Sequence, residues 1–193
     1  MDILKLIKER RTIRKYKKKA IPQKIIQKIV ESGIWASSIH GFQPWRIAVI
    51  TNKSKIKEIA SILRNKSKSI GTGPNILMSS TAETIYNSPT IIAVYNTKVF
   101  VNFAKKFRAE YVKIAQLSEI EAISGAIQNI VLTAESFGIG SCWTVLPVFC
   151  EKEINKILNL NNSLLTILTV GYPAEEGKRS LRKPINEKVK YLK

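Results

Sequence analysis

A run of basic residues near the N-terminus is the first feature of the sequence that suggests chemistry. Seven of the ten residues in RRTIRKYKKK, positions 10–19, are Lys or Arg. Arg10, Arg11 and Arg14 lie beside the hydroxyl of Thr12, and guanidinium groups form bidentate, charge-assisted hydrogen bonds with phosphate oxygens. A second basic cluster, GKRSLRKP at 177–184, lies near the other end of the chain. The two clusters predict one phosphate site if the tail folds back over the N-terminal segment; the alternative is a set of solvated charges.

The stretch WASSIHGFQPWRIAVIT, residues 35–51, places polar, turn-forming and aromatic residues in front of an apolar run. A connection between a helix and a strand needs only a few turn residues. The composition therefore indicates a loop against which something packs. His40, the only histidine of the chain, lies in this stretch, and its residue type leaves a catalytic role and a structural or pocket-lining role both open.

The cysteines and glycines do not predict a second site. Cys142 and Cys150 fit neither a CxxC motif nor a zinc-ligand spacing, and they are predicted to be reduced, partly buried thiols. The sequence GTGPN at 71–75 does not join a strand to a helix within a βαβ unit. It is therefore predicted to be a loop and not a dinucleotide-binding fingerprint.

Apolar periodicity predicts the elements that must position these residues. The predicted strands cover residues 46–51, 89–95, 141–146 and 164–172. The predicted helices cover 2–10, a segment from Pro22 to Ile34, 53–64, 99–117, 118–137 and 151–158. The pattern predicts one α+β layered domain over residues 1–193 with a central sheet and an extended basic tail from 173 to 193.

Two of the predicted helices carry specific expectations. Ser118 and Glu121 form a capping box at the predicted start of one helix, and Gly138 is predicted to end it. The helix over 99–117 has aromatic residues three or four positions apart: Phe100, Phe103, Phe107 and Tyr111. This face is predicted to pack into the core, with a helical lid over a ligand as the alternative.

Composition limits the classes of function. The net charge is +18, with 32 Lys and Arg against 14 Asp and Glu. Such a charge favours an anionic partner, although Lys is frequent throughout the chain. The N-terminus lacks the apolar region of a secretory signal, and no apolar run reaches the length of a membrane span. We therefore expect a soluble cytoplasmic protein without a membrane partner.

Four blocks occur in order along the chain: RRTIRKY, WASSIHGFQPWR, SFGIGSCW and GYPAEEGKRSLRKP. Together they resemble the nitroreductase family of flavin-dependent oxidoreductases, whose pattern is roughly R-R-S-x-R, A-P-S-x-x-N-x-Q-P-W, G-L-G-x-x-W and G-Y-P followed by basic residues. The resemblance covers nearly the whole chain and is poorest over 52–117. It implies a nitroreductase-like layered fold, with a mostly antiparallel sheet flanked by helices, in a homodimer that binds FMN at the subunit interface.

The resemblance also implies roles for individual residues. Arg10, Arg11 and Thr12 would bind the FMN phosphate and ribityl oxygens, and Arg182 would bind the phosphate. Arg14 would place a positive charge near flavin N1 and O2, where it favours the reduced cofactor. The loop over 36–41, which contains Ser37, Ser38 and His40, would lie against the flavin of the partner subunit. Because the family does not generally need a protein acid or base, His40 would line the pocket or stabilise this loop.

The chain departs from the family pattern at three places. Ser37 replaces the usual proline, and Gly41 replaces the usual asparagine. After Trp143, where many members have a glycine whose N–H points at flavin N5, the chain has Thr144-Val145-Leu146-Pro147. Pro147 has no N–H, so Val145 and Leu146 both remain candidates for that contact.

The resemblance implies an enzyme that takes hydride from NADH or NADPH and passes it to a small, electron-poor acceptor such as a nitroaromatic or a quinone. The two substrates would occupy one flavin face in turn, and the flavin would supply the redox chemistry. A more specialised oxidation, reduction or reductive dehalogenation is an alternative within the family. A protein that binds nucleic acid or another polyanion is the alternative from another class, although no nucleic-acid-binding motif occurs.

Overall fold

The protein was analysed as a computed structural model that describes residues 2–192. Four strands form its sheet: β1 (Trp45–Ile50), β2 (Thr90–Asn96), β3 (Gly140–Thr144) and β4 (Ser163–Gly171). Seven α-helices are described: α1 (Ile3–Glu9), α2 (Gln23–Ile34), α3 (Lys53–Ser67), α4 (Pro74–Tyr86), α5 (Val99–Ala104), α6 (Ala109–Ser136) and α7 (Glu151–Leu158). Short 3-10 helices cover Ile39–Gly41, Leu146–Cys150 and Ile185–Glu187.

The four strands pair in the order β1-β2-β4-β3, and every pairing is antiparallel. Consequently β1 and β3 are the two edges of the sheet. Ile50 is paired with Ile91, and Thr90 with Val170, so β1 ends where β2 begins and β4 ends. The predicted α+β fold with a mostly antiparallel central sheet is confirmed.

Helices cover both faces of this sheet, and alternate residues of β2 belong to the two cores. Ile91, Ala93 and Tyr95 pack with buried residues of α3, α4 and α7. Ile92 and Val94 pack with buried residues of α2 and α6. Successive side chains of a strand point to opposite faces, so a central strand buried on both sides is apolar at nearly every position.

The predicted helix start at Ser118 is wrong. Ser118 is buried in the middle of α6, which runs without interruption from Ala109 to Ser136. Residues 109–117, which the sequence pattern assigned to a preceding helix, form the first third of α6. The predicted helix over 99–117 is instead divided between α5 and α6 by the break at 105–108. A capping motif acts only where a helix has a free end, and here the N–H groups are already bonded within the helix.

The sequence pattern also missed helix α4. Its apolar residues are not confined to one side, since Ile76 and Leu77 are 71% and 62% exposed while Met78 and Ile85 are fully buried. A helix is predicted from an apolar stripe that repeats every three or four residues. α4 has no clean stripe, so periodicity predicted only the preceding loop.

A buried carboxylate ties α5 to the sheet and to α6. Glu119 is 1% exposed and accepts hydrogen bonds from the backbone N–H of Phe100 at 2.7 Å and of Val101 at 3.0 Å. It also accepts one from Nδ2 of Asn96 at 2.9 Å. Lys98, directly before α5, has a left-handed φ of 56°. The carboxylate thus caps the first turn of α5, whose N–H groups have no acceptor within the helix.

Replacing Glu119 by Ala is expected to lower the free energy of unfolding by about 3 kcal/mol or more, because each buried donor left unpaired costs about 1–3 kcal/mol. Glu119→Gln keeps one acceptor oxygen, so its expected loss is smaller. Urea unfolding followed by circular dichroism measures both. The control is Glu121→Ala, which removes the exposed partner of the predicted capping box and should change stability by less than about 0.5 kcal/mol. Equal losses in the Glu119 and Glu121 variants would contradict this account.

Candidate functional site

The basic N-terminal segment lies along the β3 edge of the sheet. Thr12 forms a parallel bridge with Ser141, and the N–H of Ile13 donates to the Ser141 carbonyl at 2.9 Å. A Cβ on Gly140 would come within 2.7 Å of Cγ1 of Ile13. Gly140, the second glycine of the SFGIGSCW block, therefore allows the basic segment to approach β3 closely. This contact holds Thr12 at the edge of the sheet.

Arg10 and Arg11 lie where α1 meets the end of α6. Both side chains are partly buried. Burial of Glu135 at the end of α6 raises the pKa of its carboxyl, and the positive charges of Arg10 and Arg11 oppose this shift. The Nη1 atom of Arg11 donates to the carbonyls of Lys8 and Arg10, at 2.6 and 2.9 Å. Arg10 donates to the Arg11 carbonyl at 3.2 Å. The two guanidinium groups are thus held against backbone carbonyls and retain further N–H groups for an anion.

The chain after β4 folds back over the basic segment, as the two-cluster hypothesis required. The N–H of Lys17 donates to the Tyr172 carbonyl at 2.8 Å, and the N–H of Ala174 donates to the Lys15 carbonyl at 2.9 Å. Farther along, Gly177 lies so close to Arg11 that a Cβ on the glycine would clash with the arginine side chain. The first part of the second basic cluster therefore converges with Arg11.

An acidic residue of the tail, which the sequence analysis had not singled out, fixes the backbone at Arg14. Oε1 of Glu175 accepts the N–H of Arg14 at 2.6 Å and that of Lys15 at 3.1 Å. The carboxylate is thereby bound to two amides, while the Arg14 side chain is exposed. The only sequence signal for this role is the pair of glutamates in PAEEGKR, between two basic clusters.

Arg182 does not reach the basic segment through any hydrogen bond among the described residues. It is exposed, and its Nη1 lies 3.4 Å from the carbonyls of Ser180 and Leu181 in its own segment. The structure therefore brings together Arg10, Arg11, Thr12 and Arg14 but leaves Arg182 at the surface of the tail.

Val145 and Leu146 follow β3 directly. Val145 is 60% exposed, and Leu146 is the first residue of a 3-10 helix whose second residue is Pro147. The first N–H groups of a helix have no acceptor within it, so the backbone at both positions can serve a ligand. Trp143, at the end of β3, is 41% exposed beside them.

The loop over residues 36–41 has a specific backbone shape. His40, Gly41 and Gln43 all have left-handed φ values, of 47°, 71° and 45°. The N–H of Gln43 donates to Oγ of Ser38 at 3.3 Å, while Ser37 is exposed. Such conformations are uncommon outside glycine and are maintained when the surroundings fix them.

An aromatic cluster supports this loop. The Phe42 ring is stacked on Phe100 with centroids 4.8 Å apart, and the His40 ring lies edge-on to Phe100 at 6.5 Å. Phe103, Phe107 and Tyr111 continue the cluster outward through α5 and the start of α6. Phe100 is buried, whereas Phe103 and Phe107 are 39% and 59% exposed. The aromatic face therefore packs into the core at one end and remains open to solvent at the other.

The two groups of predicted site residues lie far apart within one chain. The charges of Arg10 and Arg11 act on the Glu135 carboxyl, near the end of α6. Ala36 lies beside Gly125 of the same helix, since a Cβ added to Gly125 would be 3.9 Å from the Ala36 Cβ. Ten residues of an α-helix span about 15 Å. In addition, the basic segment lines the β3 edge, while the 36–41 loop leads into β1, the other edge. One chain does not bring Ser37, Ser38 and His40 to the basic segment.

The two cysteines are free and buried, in agreement with the prediction. Burial raises the pKa of the Cys142 thiol, an effect that the charges of Arg14 and Arg10 oppose. Burial also raises the pKa of Cys150. Since the thiolate is the reactive form, both side chains are poor nucleophiles at neutral pH.

Within residues 2–192, none of the helices combines the length and the apolar composition needed to cross a bilayer. No group of three or more His, Cys, Asp or Glu side chains in this part of the chain is arranged to bind a metal ion.

Comparison with known proteins identifies the family. The model of the nitroreductase family matches residues 7–172. A protein of Methanothermobacter thermautotrophicus, provisionally named NADH dehydrogenase/NAD(P)H nitroreductase, is 28% identical over 95% of this chain and 84% of its own length. A BluB-like flavoprotein of Clostridium difficile 630 has the same fold, with a TM-score of 0.82 at 20% identity over the whole of both chains.

A provisionally identified nitroreductase of Desulfovibrio desulfuricans, solved in complex with FMN, has a TM-score of 0.75 at 23% identity. The alignment covers 100% of this chain and 98% of that structure. The predicted class of enzyme is confirmed at the level of the family, because the family model spans all the blocks up to the GYP motif. The chain belongs to the nitroreductase family.

Proposed function

We propose that this protein is an FMN-dependent oxidoreductase that transfers hydride from NADH or NADPH to a small, electron-poor acceptor such as a nitroaromatic or a quinone. The observation that carries the proposal is the convergence of Arg10, Arg11, Thr12 and Arg14 with the start of the tail at the β3 edge. Family membership supports the class of chemistry, and this arrangement supports the choice of residues that would hold the cofactor.

The residues at the β3 edge fit the FMN phosphate. The only ion pairs within 4.0 Å in residues 2–192 are Arg64–Glu83 and Lys183–Glu187. Arg10, Arg11 and Arg14 therefore have no carboxylate partner. The buried hydroxyl of Ser141, which bridges to Thr12 through the backbone, has no hydrogen-bond partner among the described residues. Arg10, Arg11 and Thr12 would hold the phosphate and ribityl oxygens, and Arg182 would close on the phosphate from the tail. Unpaired guanidinium groups at a partly buried edge are the groups that a phosphate ester requires.

Arg14, Val145 and Leu146 would contact the flavin ring, which supplies the hydride chemistry when bound. Glu175 holds the Arg14 backbone through two hydrogen bonds. The guanidinium group would favour the negative charge that reduction adds to the cofactor. An N–H of Val145 or Leu146 would be directed toward the reacting edge of the ring. Donor and acceptor would then bind one ring face in turn.

We further propose that the active form is a homodimer in which the loop over 36–41 lies against the flavin of the partner subunit. The separation of about 15 Å along α6 supports this, because Ser37, Ser38 and His40 do not reach the basic segment of their own chain. Large apolar side chains are exposed on α1, α6 and the tail, among them Ile7 at 49%, Leu117 at 59% and Leu181 at 99%. A second copy would cover such surfaces.

The aromatic cluster of α5 and α6 is proposed to act as a lid over the acceptor. Its outer rings, Phe103 and Phe107, are exposed, while its inner ring, Phe100, supports the 36–41 loop through Phe42. In the dimer the same cluster would therefore support the flavin-contacting loop and offer aromatic surface to a planar acceptor.

Purified protein is expected to be yellow and to release FMN, not FAD, on acid treatment, because the basic residues fit a terminal phosphate ester. Chromatography of the released flavin identifies the species. The FMN-loaded protein should oxidise NADH or NADPH when a nitroaromatic or a quinone is added, measured by the loss of absorbance of the reduced nicotinamide. FAD as the main species would contradict the cofactor assignment. A colourless protein that does not take up added FMN would overturn the proposed function.

A further inference from the structure

A large cleft crosses the end of the sheet where β1 ends and β2 begins. Its volume is about 1210 Å³, and Thr12 and Arg14 line it at one side. From there it extends past Lys17–Lys19 to Lys53 and Lys57 at the start of α3. The cleft is larger than the roughly 300–1,000 Å³ of a typical small-molecule pocket, so it has room for an extended ligand beyond the flavin-binding residues.

The cleft is strongly positive. Eight Lys and Arg side chains line it, against three glutamates. Two of these glutamates are already engaged, since Glu83 pairs with Arg64 at 3.2 Å and Glu175 accepts two backbone N–H groups. None of the lining lysines forms an ion pair within residues 2–192. A concave surface lined by one sign of charge focuses its potential and raises the local concentration of anions.

The shape and lining favour a phosphorylated nucleotide over a small inorganic anion. Cations stand on both walls, with Lys17–Lys19 on the segment after Arg14 and Lys53 and Lys57 on α3. The lining also includes the ring of Tyr86, which is 36% exposed and has Nζ of Lys57 5.4 Å from its centroid, and the amide of Asn87, whose Nδ2 donates to Glu83. Several separated cations with an aromatic ring and an amide match a ligand with several phosphates, a sugar and a base.

We propose that the outer part of this cleft binds the phosphates of the reduced dinucleotide and makes the enzyme selective for NADPH over NADH. The inference rests on the proposed function, in which Thr12 and Arg14 at the inner side of the cleft contact FMN. A nicotinamide on the flavin would leave the rest of the dinucleotide to extend along Lys17–Lys19 toward Lys57. NADPH differs from NADH by one phosphate on the adenosine ribose, and a positive cleft discriminates between them through that charge.

The test uses 2′,5′-ADP and 5′-AMP, which carry the adenosine end of NADPH and NADH but no nicotinamide. Isothermal titration with the FMN-loaded protein should show that 2′,5′-ADP binds about fivefold or more tightly than 5′-AMP, with an advantage that shrinks as salt screens the charges. The variant Lys18→Gln/Lys57→Gln removes one cation from each wall and should remove most of this advantage. The control Lys152→Gln/Lys156→Gln makes the same change in net charge on α7, outside the cleft, and should keep it.

Three outcomes would overturn the inference. Equal binding of the two nucleotides to the unaltered protein would exclude recognition of the extra phosphate. Equal losses in the cleft variant and in the α7 control would assign the effect to net charge. Tighter binding of pyrophosphate or of a single-stranded oligonucleotide than of 2′,5′-ADP would make the cleft a general polyanion site.

Steady-state measurements separate this inference from the proposed function. The KM for NADPH should be lower than the KM for NADH. In the Lys18→Gln/Lys57→Gln variant, only the KM for NADPH should rise. Oxidation of both nucleotides with equal KM, unchanged in the variant, would contradict the cleft assignment and leave the FMN enzyme intact. Binding of 2′,5′-ADP to a protein that does not take up FMN would contradict the proposed function instead.

Discussion

The variant Leu117→Glu/Ile120→Glu is expected to be a folded monomer that has lost nearly all of its FMN. Leu117 and Ile120 are 59% and 50% exposed on α6, so two glutamates cost the isolated chain little. In the proposed dimer the same positions would be desolvated, and buried unpaired carboxylates would cost several kcal/mol. Because the loop over 36–41 would come from the partner subunit, loss of the dimer should remove half of the flavin site.

Light scattering after size-exclusion chromatography measures the mass, and the flavin absorbance of the same peak measures FMN content. The control is Gln23→Glu/Gln27→Glu, which adds two negative charges at exposed positions of α2. This control should remain a yellow dimer. A Leu117→Glu/Ile120→Glu protein that stays dimeric would place the interface elsewhere on the surface. A monomer that retains FMN tightly would show that one chain forms the site.

Arg14→Ala and Arg182→Ala are expected to have different effects. Arg14 would lie near the part of the flavin that gains negative charge, so its removal should lower the midpoint potential of bound FMN. A charge interaction at a solvent-exposed position contributes up to about 1 kcal/mol, which corresponds to a shift of about 20 mV for a two-electron couple. Arg182 would contact only the phosphate, so Arg182→Ala should weaken FMN retention and leave the potential of the bound cofactor unchanged.

Redox titration of both variants, saturated with FMN, gives the potential, and dilution followed by filtration gives retention. Lys190→Ala is a matched control on the tail, since it also removes an exposed positive charge but lies outside the basic cluster at 177–184. A shift of potential in Arg182→Ala, with loss of flavin alone in Arg14→Ala, would reverse the two assignments. Unchanged retention in Arg182→Ala would remove this residue from the phosphate site, in line with its exposed position.

The sequence predicted the strands well because their signals are local. All four lie within two residues of the predicted bounds at each end, since the apolar, β-branched runs are bounded by turn residues. The helices were less uniform. α3 and α7 were found from their apolar stripes, but α4 was missed because it is apolar on more than one side. The Ser118 motif failed because nine residues before it also join α6, and a continuous helix leaves no free N–H groups for a cap.

The residues of the candidate site were predicted from two basic clusters and a resemblance, but their arrangement was not. Glu119 had no signal of its own in the sequence, and the only signal for Glu175 was its place in the acidic pair of PAEEGKR. Their roles follow from contacts with Arg14 and Phe100 that connect segments distant in the chain. A carboxylate that accepts backbone N–H groups cannot be told from a solvated one without knowing which amides come close.

By itself the sequence determined the family, the α+β class, the basic composition of the N-terminal segment and the burial of two unreactive thiols, because each depends on residue type and short-range order. The tertiary structure alone decided that the tail returns to Arg11, that Arg182 stays at the surface, and that the 36–41 loop lies at the opposite edge of the sheet. It also placed Lys17–Lys19 opposite Lys57 across one cleft. The physical reason is that these relations depend on which strands pair and which helix crosses the sheet, and strand order is fixed by long-range packing that no local pattern encodes.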